Sequence, residues 1–230
     1  MNTSDFFSQE AAQWEAHYAN DARFQRRYER ITNFLSRVLP QTGRALDVGC
    51  GSGVFSRYLA SRGWHVKAID LSPKMIEAAR SISSDIDFEV ASIEDLASDE
   101  QFDAIIALSM LEYVEDDEAA IHKFADMLRA GGVLVISVPN RVGFLRRIEG
   151  IVYGIRTATK NKLFAHRGEY LQHQKRQYSP FELDIMMRRA GLKKTSRIYL
   201  NAGVSGPSWL LPLLERRWFA ALYCGAYRKM

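Results

Sequence analysis

The chain has 230 residues, 47% of them hydrophobic and 25% charged, which is enough apolar material for one core and requires no second domain. No apolar run approaches the roughly 20 residues that span a bilayer, the opening MNTSDFFSQE is polar and acidic rather than signal-like, and Cys50 and Cys224 are too few and scattered for a disulfide frame or metal cluster, so the expectation is a cytosolic chain. The net charge of +4 hides an asymmetry: residues 141–176 hold nine Lys or Arg against Glu149 and Glu169, while the other 22 bases and 25 acids leave the rest at −3.

Two amphipathic helices open the chain. Phe7, Ala11, Trp14 and Tyr18 recur at helical spacing and, after a cap at Asn20 or Asp21, so do Phe24, Tyr28, Ile31, Leu35 and Val38. Most of these aromatics are expected to pack on the core. A strand at 44–48, the loop GCGSG and a helix at 53–62 follow; a strand at 65–69 ends in Asp70, and Ser72 with Pro73 opens the next helix. Phe88 to Val90 is a third strand. FDAIIALSMLEYV contains a fourth, apolar throughout as a strand buried on both faces is.

A helix over about Asp116 to Leu128 is expected to close at the glycine stop Ala130-Gly131-Gly132, before a fifth strand from Val133 to Val138. Residues 141–177 show no clear period. Ser179, Pro180 and Glu182 start a capped helix that stops at Gly191, and Lys194 to Leu200 with Ala220 to Arg228 reads as an antiparallel pair. Strand alternating with helix implies a doubly wound, mostly parallel α/β sheet whose ligands lie at the C-terminal strand ends, placing Asn140 and Arg141 on the substrate side.

The chemistry starts in ALDVGCGSG. Glycines 49, 51 and 53 let a ligand press against the main chain where a helix start presents unpaired N–H groups. An acid about twenty residues on, Asp70, suits the two hydroxyls of a ribose. Asp47, two positions before the first glycine, would repel a pyrophosphate and suits an ammonium, so a nicotinamide dehydrogenase is disfavoured on charge.

With AIDLS following DVGCGSG, residues 40–140 resemble the class I S-adenosylmethionine-dependent methyltransferases, closest in pattern to the ubiquinone-biosynthesis type. The resemblance implies a seven-stranded sheet with its last strand antiparallel, in one domain: lid helices at 1–40, a cofactor core at 41–140, a substrate-side insertion at 141–178, and a helix with a strand hairpin at 179–230. It assigns the cofactor to Asp47, Gly49, Cys50, Gly51, Gly53, Asp70, Leu71, Met75, Ser92, Ile93 and Leu108. It also implies that Trp14 and Tyr18 face the cofactor from a lid.

At Ser92 the family usually has an Asp, so the adenine contact is weaker or shared with Glu94, which reads equally as a helix-start carboxylate. FDAIIALSMLEYV departs from the family pattern twice more. Ser109 stands where ubiquinone-type enzymes carry a second Glu, and Tyr113 where they carry His; Ser, Glu112 and Tyr are a poor set for a hard cation, so no metal is expected. The catalytic candidates are His173 and Tyr113, with His166 behind them: a histidine titrates near neutrality and can act as a base, and a tyrosine can orient an acceptor or merely fill a wall.

Methyl transfer to a small lipophilic or aromatic acceptor is the leading function. A nucleic-acid methyltransferase using segment 141–176 is the alternative, against which stand the lack of a recognition domain and of an Asn/Asp-Pro-Pro-Tyr run; a non-catalytic interaction protein would not need both Asp47 and Asp70. The basic and apolar composition of 141–176, together with 208–219, raises peripheral contact with an acidic membrane.

Overall fold

The alternating apolar and amphipathic stretches produce a seven-stranded sheet in a computed structural model that describes residues 3–97, 99–144, 147, 173–201 and 215–230. The strands are β1 (Arg44–Val48), β2 (His65–Asp70), β3 (Asp87–Val90), β4 (Phe102–Leu108), β5 (Leu128–Pro139), β6 (Leu192–Leu200) and β7 (Leu222–Lys229). Their spatial order is β3-β2-β1-β4-β5-β7-β6; β1 to β5 pair in parallel and β7 is antiparallel to both neighbours. The chain runs outward from β1 to β3, then returns to place β4 beside β1. The crevice at that reversal is where a ligand fits an open α/β sheet.

Alternate residues of each strand serve different faces. Leu46, Val48, Ile105, Leu134, Ile136, Tyr223 and Tyr227 pack under α5 (Asp117–Met127) and α6 (Pro180–Arg189). Ala45, Ala68, Ala104, Val135 and Ala226 face the other way, where small side chains meet Ile31, Leu35, Leu59 and Ile76. These come from α2 (Ala22–Val38), α3 (Val54–Ser61) and α4 (Pro73–Ile82). Helix α1 (Thr3–Asn20) lies against α2 and α4.

Helix starts follow the expected caps. Asp21 accepts from Arg23 N–H at 2.8 Å and Ser72 from Met75 N–H at 3.2 Å, and Ser179 with Glu182 forms a capping box. The glycine stop after α5 is not what the structure shows. α5 is already closed by the Leu128 N–H bonded to Phe124 O, and β5 begins at Leu128. Gly131 and Gly132 instead lie in a bulge: β5 pairs with β4 at Leu128↔Phe102 and again at Val133↔Ala104, and Gly131 takes φ +78°. Among the described residues, no helix is long and apolar enough to cross a membrane.

Candidate functional site

The turn from β1 into α3 folds as it does because its residues are small. Gly49 has φ +71°, and a Cβ there would lie 2.7 Å from Met110 Cβ. Gly51 has φ +55°, with Trp14 Nε1 3.3 Å from where a Cβ would stand. A side chain at either position would fill the crevice as well as strain the backbone. Gly53 is different: its missing side chain makes room for the Phe88 ring, and its N–H bonds Cys50 O at 3.0 Å. That glycine packs the loop rather than opening it.

Two acids, Asp47 buried and Asp70 half-buried, frame the loop. Asp47 is 2% exposed and accepts the Ser56 hydroxyl at 2.6 Å. Burial lifts its carboxyl to about 7; the Ser56 bond opposes the rise and the Asp70 charge adds to it. Asp70 accepts N–H groups from Gly51 at 2.8 Å and Ser72 at 2.9 Å. Burial raises its carboxyl too, and those two bonds pull it back. Each carboxylate oxygen has two lone-pair sites, so Asp70 keeps capacity for two hydroxyls. Cys50 is buried, and burial with both acids pushes its thiol far up, which keeps it neutral and unreactive.

α1 closes over these loops. Ser4 Oγ donates to Leu71 O at 2.8 Å, and Ser8 and Ser72 hydroxyls bond at 2.8 Å. Glu15 accepts from Ser52 Oγ at 2.8 Å and pairs with Arg57 at 2.6 Å. Trp14 covers Gly51. Tyr18 instead packs edge-on to Phe24 and Phe55 and accepts from Arg27 Nη1 at 3.2 Å, with burial raising its hydroxyl.

Arg27 is the residue that sequence reading missed. It projects from α2 toward the ends of β1 and β4, donating through Nη2 to Ser109 Oγ at 3.1 Å; Ser109 in turn bonds the Ser137 hydroxyl at 3.2 Å. Among the described residues no carboxylate pairs with it. Its position was a signal: Arg27 sits three after Phe24 and four before Ile31, a charge inside an apolar stripe. Ser109 holds φ +57°, which costs a non-glycine residue about 1–3 kcal/mol.

The acceptor candidates both pack against α1. Tyr113, in a 3₁₀ turn over Leu111–Tyr113, meets Phe7 edge-on at 5.3 Å, and His173 lies 4.8 Å from Phe6. The segment after His173 is clamped to the 3₁₀ turn and to the start of α5. Lys175 N–H bonds Glu112 O at 2.8 Å, and Asp117 accepts both Arg176 Nη1 at 2.9 Å and the Tyr178 hydroxyl at 2.7 Å.

A model described as a methyltransferase domain matches residues 18–197, which include β1 to β5 with the glycine turn, Asp47 and Asp70. The chain belongs to the class I S-adenosylmethionine-dependent methyltransferases. Among curated relatives of this methyltransferase are the ubiquinone biosynthesis O-methyltransferases of Xylella fastidiosa and Xanthomonas axonopodis, each 36% identical. The matches cover 70% and 71% of this chain and 65% and 68% of theirs. Two solved structures share its fold: a Thermotoga maritima S-adenosylmethionine-dependent methyltransferase, TM-score 0.71 at 21% identity, covering 99% of both chains, and the magnesium protoporphyrin IX methyltransferase of Synechocystis with bound S-adenosylhomocysteine, TM-score 0.70 at 15% identity, covering 99% of this chain and 97% of that one. The cofactor of this methyltransferase is S-adenosylmethionine.

The crevice fits that cofactor. Leu71 is 54% exposed directly after Asp70, an apolar surface left open where a base can lie. Met75 is buried beside Gly51, Ile93 is buried behind the crevice, and Leu108 ends β4. Ser92 forms a reciprocal turn with Asp95, whose carboxylate accepts the Ser92 N–H at 2.9 Å. Glu94 therefore starts no helix; it is exposed within that turn, its carbonyl bonded to Lys123. Asn140 also departs from expectation. It is fully buried and donates to Arg217 O and Ala220 O at 2.8 and 2.9 Å, pinning the chain before β7 instead of facing a substrate, and Arg141 pairs with Glu182. His166 and most of 141–176 and 208–219 lie outside the described residues. Among the described residues no three His, Cys, Asp or Glu side chains form a group that could hold a metal ion.

Proposed function

We propose that this protein transfers the methyl group of S-adenosylmethionine to oxygen or nitrogen of a small aromatic or lipophilic acceptor. The observation that carries the reading is the pairing of Phe6 with His173 and Phe7 with Tyr113 on the helix that Ser4 and Ser8 tie to the loop after Asp70. Asp70 receives the ribose hydroxyls, Leu71 and Ile93 back the adenine, and Asp47 with the Gly49 turn takes the ammonium end. Arg27 supplies the charge that a carboxylate requires.

S-adenosylmethionine brings an electrophilic methyl group on sulfur. The chain's part is to hold an acceptor in line with it and exclude water, which can supply about 7–11 kcal/mol of the barrier. His173 removes the acceptor's proton and Tyr113 orients the acceptor. A panel of phenols, catechols and arylamines, assayed for release of S-adenosylhomocysteine, tests this; turnover of oligonucleotides with no turnover of the panel would overturn it. The reaction needs no divalent ion, so activity persists in EDTA, and a strict Mg²⁺ requirement would contradict that.

A second reading concerns access. Phe144 is 54% and Trp218 61% exposed, joined by the Phe144 N–H to Trp218 O bond at 2.7 Å, with Arg141, Arg147, Arg216 and Arg217 exposed beside them. Aromatics ringed by bases suit an anionic bilayer, where each base contributes on the order of 1 kcal/mol. Sedimentation with anionic but not neutral vesicles at low salt supports attachment; equal recovery with both rejects it.

A further inference from the structure

β4 pairs with β5 as far as Leu108↔Ser137, and one residue later the chain turns left-handed at Ser109, with φ +57°. Among the described residues no other non-glycine residue has a positive φ. Glycine would take that turn without strain, so the presence of a side chain there calls for a cause. Fixing the turn is not the cause, because the Ser109 N–H already bonds Ser137 O at 3.0 Å. The hydroxyl has other work. It accepts from Arg27 Nη2 at 3.1 Å and can give its own proton to the Ser137 hydroxyl, 3.2 Å away on a fully buried side chain.

Arg27 is thus held through both terminal nitrogens by neutral groups. Tyr18 accepts from Nη1 at 3.2 Å, and burial raises its hydroxyl, so it stays uncharged; Ser109 accepts from Nη2. Two hydroxyls aim a guanidinium and leave its positive charge unspent, whereas a carboxylate in either place would pin and neutralise it. Ser137 anchors one arm of this cradle to β5, and Tyr18 anchors the other to α1.

We propose that Ser109 is a positioning residue for the cofactor: its hydroxyl, propped by Ser137, aims Arg27 at the carboxylate of S-adenosylmethionine without neutralising it. The assignment rests on the reading above in which Arg27 supplies the charge for that carboxylate. Calorimetry on the full chain with two probes tests it. One is S-adenosylhomocysteine; the other is 5′-methylthioadenosine, which keeps the nucleoside and the thioether and lacks the amino-acid end.

Ser109→Ala and Ser109→Gly are each expected to weaken S-adenosylhomocysteine about fivefold and to leave methylthioadenosine within about twofold of the wild type. Glycine relieves the turn and alanine keeps it strained, so the glycine variant melts higher than the alanine one. A loss of affinity shared by both cannot then be ascribed to folding. Ser109→Glu, which would pair with Arg27, weakens S-adenosylhomocysteine about tenfold relative to the uncharged Ser109→Gln. Unchanged S-adenosylhomocysteine affinity in the alanine and glycine variants, or equal weakening of both probes, overturns the assignment. Arg27→Gln isolates the reading beneath it: that variant should lose S-adenosylhomocysteine and spare methylthioadenosine, and if it treats the two probes alike, Arg27 does not meet the carboxylate.

Discussion

The two halves of the crevice are built from different materials. The cofactor side is mostly main chain: the Gly49 to Gly53 turn and the N–H groups of Gly51 and Ser72 that hold Asp70, with Asp47 on the Ser56 hydroxyl, all drawn from residues 47–75. The acceptor side we propose is side chains from three distant stretches, with Phe6 and Phe7, Tyr113, and His173 meeting only in the folded molecule. Backbone geometry tolerates few sequences, whereas a wall of side chains can be rebuilt residue by residue. Substitutions on the first side should therefore abolish binding and those on the second should retune turnover.

The largest effect is expected at Gly49. Gly49→Val would need a β-branched residue at φ +71° and would drive a Cβ to 2.7 Å from Met110. Left-handed strain and overpacking together cost about 2–5 kcal/mol. Calorimetry should show binding of S-adenosylhomocysteine reduced more than a hundredfold, and thermal unfolding should show a lower midpoint. A variant that binds normally would mean the turn has room that the structure denies.

Next comes a pH effect at Asp47, whose carboxyl burial holds at about 7. An unfolded Asp titrates at roughly 3.9, so between about pH 4 and pH 7 the folded state binds the extra proton and stability falls as pH rises. An ammonium beside Asp47 favours the ionised form. Cofactor affinity should thus rise severalfold between about pH 6 and pH 8, while Asp47→Asn flattens that dependence and stabilises the ligand-free chain at pH 8. Parallel pH profiles for the two proteins would remove Asp47 from the ammonium site.

The smallest effect on binding, and the sharpest contrast, is on the acceptor side. His173→Phe keeps the ring against Phe6 and loses the base, so kcat should fall about 10²- to 10⁴-fold while S-adenosylhomocysteine affinity stays within twofold. Were kcat unchanged, His173 would be wall and not base.

The same division explains what could be read from the sequence. The succession of strands and helices, Asp47, Asp70 and the glycine turn were legible because local spacing dictates them, and the Ser72 and Ser179 caps because a cap is chemistry over three residues. Gly131 and Gly132 misled because a glycine pair after a helix looks the same whether it ends the helix or bulges the next strand; only pairing with β4 decides. Asn140 misled because a strand end predicts where a residue lies, not that its amide is spent on Arg217 and Ala220 eighty residues on. Arg27 was overlooked although its place in an apolar stripe marked it.

We propose that the ends of β1, β2 and β4, under α1, hold S-adenosylmethionine through Asp70. Titration of S-adenosylhomocysteine into the wild-type chain and Asp70→Ala by calorimetry tests it most directly. Loss of two charge-assisted bonds, each about 1.5–3 kcal/mol, predicts one site in the wild type and at least tenfold weaker binding in the variant. Equal affinity in the two proteins would contradict the account.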